Sequence, residues 1–195
     1  MVAERGAVAL EGYNLPMSYT FKYLGWWLCA DGDMELGLER RMEAAADRFR
    51  ELGRIWWASE VSIRVKLRVY VAGVLSVLLY GCECWWLDSS ARSKVGAWNA
   101  RRLAVLTGRT IKEEYQEPTR DVVKMARLRR LTWLGKVLNR DSESVVTQFI
   151  LAEANRYNGS EDGHIFNDVP SFTNSEELVS LAQDTDKWSE ILGKV

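Results

Sequence analysis

Histidine, cysteine and proline are scarce in this chain, and each scarcity removes a class of function. There is one histidine, His164, in a polar stretch, and there are three cysteines, Cys29, Cys82 and Cys84. A structural zinc site takes four Cys or His ligands at finger spacing, so none is expected. Three cysteines make no disulfide framework. Cys82 and Cys84 stand too close along the chain to bridge each other comfortably, and reduced thiols fit an intracellular protein of the nucleus or cytoplasm. Residues 1–12 lack the basic segment followed by an apolar one that marks a signal peptide. The longest apolar run, Val69–Tyr80, is about 12 residues, too short for a bilayer span of roughly 20. A soluble protein with no membrane partner is expected. With only three prolines, and with helical spacing in the longest periodic stretches, the expected fold class is mainly α.

What the chain has in quantity is apolar surface, tryptophan and segregated charge. Hydrophobic residues make up 47% of it and there are nine tryptophans, enough for a core plus some exposed aromatic surface. Residues 1–140 hold 23 Lys and Arg against 16 Asp and Glu, while residues 141–195 hold 3 against 11. A basic body with an acidic tail fits nucleic-acid binding, though both signs also serve to solvate helix faces.

The elements read as follows. Residues 1–32 carry strand chemistry in Met17–Leu28, interrupted by Gly25, which marks a turn, a bulge or a close backbone approach, with Ala7–Leu10 as a short partner strand and Tyr13–Pro16 as the turn. Residues 33–155 read as a helical bundle. A helix from Met34 to about Trp57 shows an apolar stripe through Leu38, Met42, Ala45, Phe49, Leu52 and Trp56, with Asp33 as its cap. Ser62 caps a second helix that runs to Tyr80 and stops at Gly81. Asp88 or Ser89 caps a third, which Gly108 ends. Arg109–Glu117 reads as loop, and Pro118 can start a short helix ahead of a basic one, Ala126–Arg140. Ser144–Asn155 continues as helix. Residues 156–174 are polar and acidic and read as a flexible linker. Residues 175–195 form a C-terminal amphipathic helix.

Two features sharpen this reading. Phe21-Lys22-Tyr23-Leu24-Gly25 stands immediately before a long helix. Aromatic-basic stretches then follow in order: Glu51 to Trp56, Lys66-Leu67-Arg68-Val69-Tyr70, Leu78 to Trp85, and Arg129 to Leu138. Their order and spacing resemble the region downstream of the polymerase palm in the reverse transcriptases of non-LTR retrotransposons (LINE type). The resemblance covers residues 17–140 and, more loosely, 175–192. In that family FKYLG opens the primer-grip hairpin and the following helices form the thumb.

The resemblance implies a short hairpin on a thumb-like helical bundle that holds an RNA–DNA or RNA template–primer duplex and relies on palm and fingers supplied elsewhere. Candidate contacts are Lys22, Tyr23, Gly25, Arg64, Lys66, Arg68, Arg101, Arg102, Arg129, Arg130 and Lys136. Gly25 would allow close backbone approach, Lys22 would neutralise a phosphate, and Tyr23 would stack or simply pack in the hairpin. Arg64 and Arg68 share a helix face, and Lys66 does not lie on it. Tryptophans 26, 27, 56, 57, 85, 86, 98 and 133 read first as packing and second as stacking platforms.

The chain departs from the family where chemistry is concerned. The family palm carries an aromatic-x-Asp-Asp motif that holds two Mg²⁺ ions, and there is no Asp-Asp pair here. Asp31-Gly32-Asp33 reads as a turn and helix cap. No catalytic residue, metal site or cofactor is therefore expected, and no enzyme activity from this chain alone. Cys82 and Cys84 stand where the family often has Ser and Thr, Lys136 where it often has His, and the acidic stretch Gly159–Asp168 where a basic Gly-rich one is common. A degenerate or domesticated helical domain with a structural or protein-interaction role is the competing reading.

Overall fold

Two short antiparallel hairpins open the fold. The structure is a computed structural model that describes residues 9–10, 13–14, 17–108, 121–170 and 172–195. Strand β1 (Ala9–Leu10) pairs with β2 (Tyr13–Asn14), and β3 (Thr20–Tyr23) pairs with β4 (Trp26–Cys29). The expected pairing of Ala7–Leu10 with Met17–Leu28 is corrected. Met17–Leu28 contains both strands of its own hairpin, because Leu24 and Gly25 take φ of 47° and 82° and close a two-residue turn. Positive φ at both central residues matches the right-handed twist of a hairpin. Ala7 and Val8 lie outside the described residues, as do the expected loop Arg109–Glu117 and the helix start at Pro118.

The second hairpin is fastened to the first long helix, α1 (Glu35–Glu51). Asp33 Oδ1 accepts the Glu35 N–H at 2.8 Å and so satisfies one of the helix's free donors. Gly37 lies against the Trp26 ring, with no room for a methyl group. The Arg41 guanidinium donates to the Gly25 carbonyl at 2.5 Å and sits over the Tyr80 ring, 4.5 Å from its centre.

The apolar stripe of α1 continues to Trp56, but the helix does not. It breaks at Leu52 and resumes as α2 (Gly53–Trp57), with Trp56 Nε1 donating to the Phe49 carbonyl at 2.7 Å across the break. Ser62 caps α3 (Ile63–Val69) as expected, its Oγ accepting from Val65 N–H. The helix then widens into a π-helical stretch, Tyr70–Leu75, and finishes as α4 (Ser76–Leu78) before Gly81 at φ 71°. The Tyr70 hydroxyl donates to Asn99 Oδ1 at 2.8 Å in the core. A 3₁₀ turn at Cys82–Cys84 leads to α5 (Ser89–Thr107), capped by Asp88 and closed by Gly108 at φ 63°.

Helix α6 (Val122–Leu138) starts earlier than expected, because Asp121 caps it by accepting from Lys124 N–H at 2.8 Å. It is the spine shared by two hydrophobic cores. Its first turns, Val122 and Ala126, join Tyr70, Leu75, Leu78, Trp85, Val95 and Trp98. Its last turns, Leu131, Leu134, Val137 and Leu138, join a second core with α7 (Val145–Arg156), α8 (Ser175–Gln183) and α9 (Thr185–Lys194).

Two expectations about the C-terminal part are corrected. Residues 156–174 do not hang as a linker: a 3₁₀ turn, Ile165–Asp168, buries Phe166 to 1% exposure in the second core, with Tyr157, Val169 and Phe172 around it. The reason is aromatic spacing, since Tyr157, Phe166 and Phe172 pack ring on ring at 5.3 to 6.0 Å. Residues 175–195 form two helices, because Asp184 leaves helical geometry and caps α9 by accepting from Lys187 N–H. The chain is thus mainly helical, with short antiparallel hairpins before the helices. Among the described residues no helix is long and apolar enough to cross a membrane.

Candidate nucleic-acid interface

Basic residues in α1 are largely answered by their own helix. Arg40 pairs with Glu43, Arg48 with Glu51 and Arg50 with Asp47, all three residues apart. The other helices of the first core differ. Together α3, α5 and α6 carry twelve Lys and Arg and no Asp or Glu. They are also neighbours, with α3 packed on α5 and α5 on α6. Four of the twelve are answered from other elements, Arg92 by Asp162, Lys94 by Glu35, and Arg127 and Arg130 by Asp168. The potential of the others reaches into solvent within the Debye length, about 8 Å at physiological salt.

The candidate contacts divide by how the fold uses them. Lys22 and Tyr23 are exposed on the hairpin, Arg64 and Arg68 on α3, Arg101 on α5 and Lys136 on α6. None of the five cations forms an ion pair with a described residue. Lys66 is half-buried. The Arg102 guanidinium sits over the Trp98 ring, 4.0 Å from its centre, and burial lowers its pKa. Arg129 donates to the Leu79 carbonyl at 3.3 Å and ties α6 to the end of α4. The Gly25 carbonyl is occupied by Arg41.

Arg130 is a correction. It is 3% exposed, donates to the Gly163 carbonyl at 2.8 Å and pairs with Asp168 at 3.4 Å. Its neighbour Arg127 holds the other Asp168 oxygen at 2.6 Å. A guanidinium sealed at the junction of two cores cannot lie along a duplex. The adjacent Arg129-Arg130 pair read alike in the sequence, but a rotation of about 100° per helical residue sends them to different neighbours.

The tryptophans mostly pack, as expected first. Trp56, Trp85, Trp98 and Trp188 are buried, while Trp57 and Trp86 are exposed. A cleft of about 350 Å³ between the hairpin, the start of α1 and the start of α5 is lined by Trp26, Trp85 and Trp86, with Asp33, Glu35 and Lys94 among its polar groups. No local pattern marks it, because its rings come from two segments far apart in the chain.

Mg²⁺ has no two-metal site among the described residues. Asp31 and Asp33 accept the backbone N–H groups of Asp33 and Glu35, at 3.0 and 2.8 Å, and serve the turn. No group of three or more His, Cys, Asp or Glu able to hold a metal ion occurs among the described residues. Burial raises the Cys82 thiol to about 12, the value of an inert packing group.

Comparison of the chain with protein-family models, with curated proteins and with solved structures finds no match.

Proposed function

We propose that this chain is a duplex-holding, thumb-like part of a non-LTR type reverse transcriptase, which grips a template–primer duplex and performs no nucleotidyl transfer by itself. The observation that carries the reading is the acid-free layer of α3, α5 and α6, on which Arg64, Arg68, Arg101 and Lys136 are exposed without ion-pair partners among the described residues. Contacts from such residues go to phosphates, so binding is sequence-tolerant and salt-sensitive. The hairpin adds Lys22 and the exposed rings of Phe21 and Tyr23. The ordered motifs from Phe21 to Leu138 supply the family, and the palm, if present in the same assembly, would supply the metal-binding carboxylates.

Titration of a labelled RNA–DNA hybrid with the wild type and with the Arg64→Ala, Arg68→Ala double variant tests the assignment. The double variant should bind more weakly, and its plot of log affinity against log salt should flatten by about 2. Unchanged affinity would remove α3 from the interface.

The second reading, a protein-interaction domain, rests on a different surface. Val145, Val146 and Phe149 of α7 are exposed, Val145 at 81%. Binding of no hybrid even at low salt would favour it.

A further inference from the structure

Where the two cores meet, the start of α5, the middle of α6 and residues 162–168 border a cavity of about 350 Å³ that is open to solvent on one side. Arg92, Arg127 and Arg130 line it, with Asp162, Asp168 and His164. Two carboxylates do not balance three guanidiniums. Asp162 is occupied by Arg92, at 3.0 and 3.4 Å, and by the Ser89 N–H at 2.6 Å. Asp168 is occupied by Arg127 Nε and Arg130 Nη1.

Donors are left over. A guanidinium carries five N–H groups, and Arg127 spends only the one on Nε among the described residues. Arg130 Nε is buried without a hydrogen-bond partner in a side chain that lines the cavity. His164 Nδ1 accepts from the Phe166 N–H at 3.2 Å, which in the neutral ring puts the proton on Nε2 as a further donor. Burial lowers the His164 pKa and favours that neutral form. The lining therefore has donors in excess, acceptors in use, and one net positive charge from three Arg against two Asp.

A cation is repelled by such a lining, and an apolar ligand would strand its donors at a desolvation cost. An oxyanion meets both needs. Arg127 and Arg130 stand three residues apart on α6 and both line the cavity, as does His164, which suits the several oxygens of a phosphoryl group. We propose that this cavity binds a phosphate group, held by Arg127, Arg130 and Nε2 of His164. The group is either free phosphate or the terminal phosphate of a nucleic-acid strand. The site is separate from the α3 surface and does not depend on the duplex-holding reading.

The test is a titration of the full chain with inorganic phosphate at constant ionic strength, followed by calorimetry and by ³¹P line broadening. Saturable binding is expected, and Arg127→Gln should weaken it by about tenfold, as loss of a charge-assisted contact does. Arg127 is partly exposed and its removal leaves Asp168 paired with Arg130, so the variant should keep the wild-type circular dichroism. His164→Phe, which keeps a ring and loses Nε2–H, is the second variant and takes over if the first does not fold. Competition by a 5′-phosphorylated oligonucleotide but not by its 5′-hydroxyl form assigns the phosphate to a strand end, and competition by neither assigns it to free phosphate. Absence of saturable phosphate binding, or wild-type affinity in the folded variants, overturns the proposal.

Discussion

Leu24 sits at φ 47° in the tip of the second hairpin, where an L residue with a branched side chain is disfavoured by about 1–2 kcal/mol. Its side chain is 72% exposed, so little packing offsets that cost. Leu24→Asn should therefore stabilise the fold by about 1 kcal/mol and raise the denaturation midpoint, because Asn tolerates the left-handed region. A fall in stability would mean that the Leu24 side chain packs more than its exposure indicates. His164 carries a pH dependence. Burial first, and then Arg130, lower its pKa below the ordinary 6.5, while Glu161 and Glu153 pull the other way. The folded state thus favours the neutral ring. Its contribution to stability is whole above pH 6.5 and is lost as pH falls through the lower, folded value. Urea midpoints measured at about pH 7.5 and about pH 5.5 should fall further in the wild type than in His164→Gln. Equal losses would contradict a depressed pKa.

At the scale of elements, several helix ends were legible, the caps at Asp121 and Asp184 were missed, and the break inside the first helix was not marked at all. Ser62, Asp88, Gly81 and Gly108 each announce an end through local chemistry, a side-chain acceptor or a left-handed residue, and each works that way in the fold. The break at Leu52 leaves no such mark, since Phe49, Leu52 and Trp56 keep helical spacing straight across it. Residues 156–174 misread as a linker because composition averages over them, while Tyr157, Phe166 and Phe172 decide their packing. The seat of the hairpin was equally hidden. It depends on the missing side chain at Gly37, into which the Trp26 ring fits. Gly37→Ala should overlap that ring and cost about 1–3 kcal/mol, with a change in tryptophan fluorescence as the hairpin shifts off α1. An unaltered spectrum and midpoint would show that the hairpin is not seated through Gly37.

For the whole molecule, the charge asymmetry of the sequence becomes a spatial one. The basic layer of α3, α5 and α6 belongs mainly to the first core, and the acid-rich stretch from Asp141 onward builds most of the second. The two are joined along α6 and clasped where Arg127 and Arg130 meet Asp168. The basic balance was readable from composition. The division of arginines into surface and clasp was not, because it depends on how α6 is rotated against Gly163 and Asp168. The central claim is that this layer holds a duplex through its phosphates. The affinity of the wild-type chain for an RNA–DNA hybrid, measured at low and at physiological salt, tests it most directly. The account predicts clear binding at low salt that weakens steeply as salt rises. Absence of binding at low salt, or an affinity indifferent to salt, would contradict it.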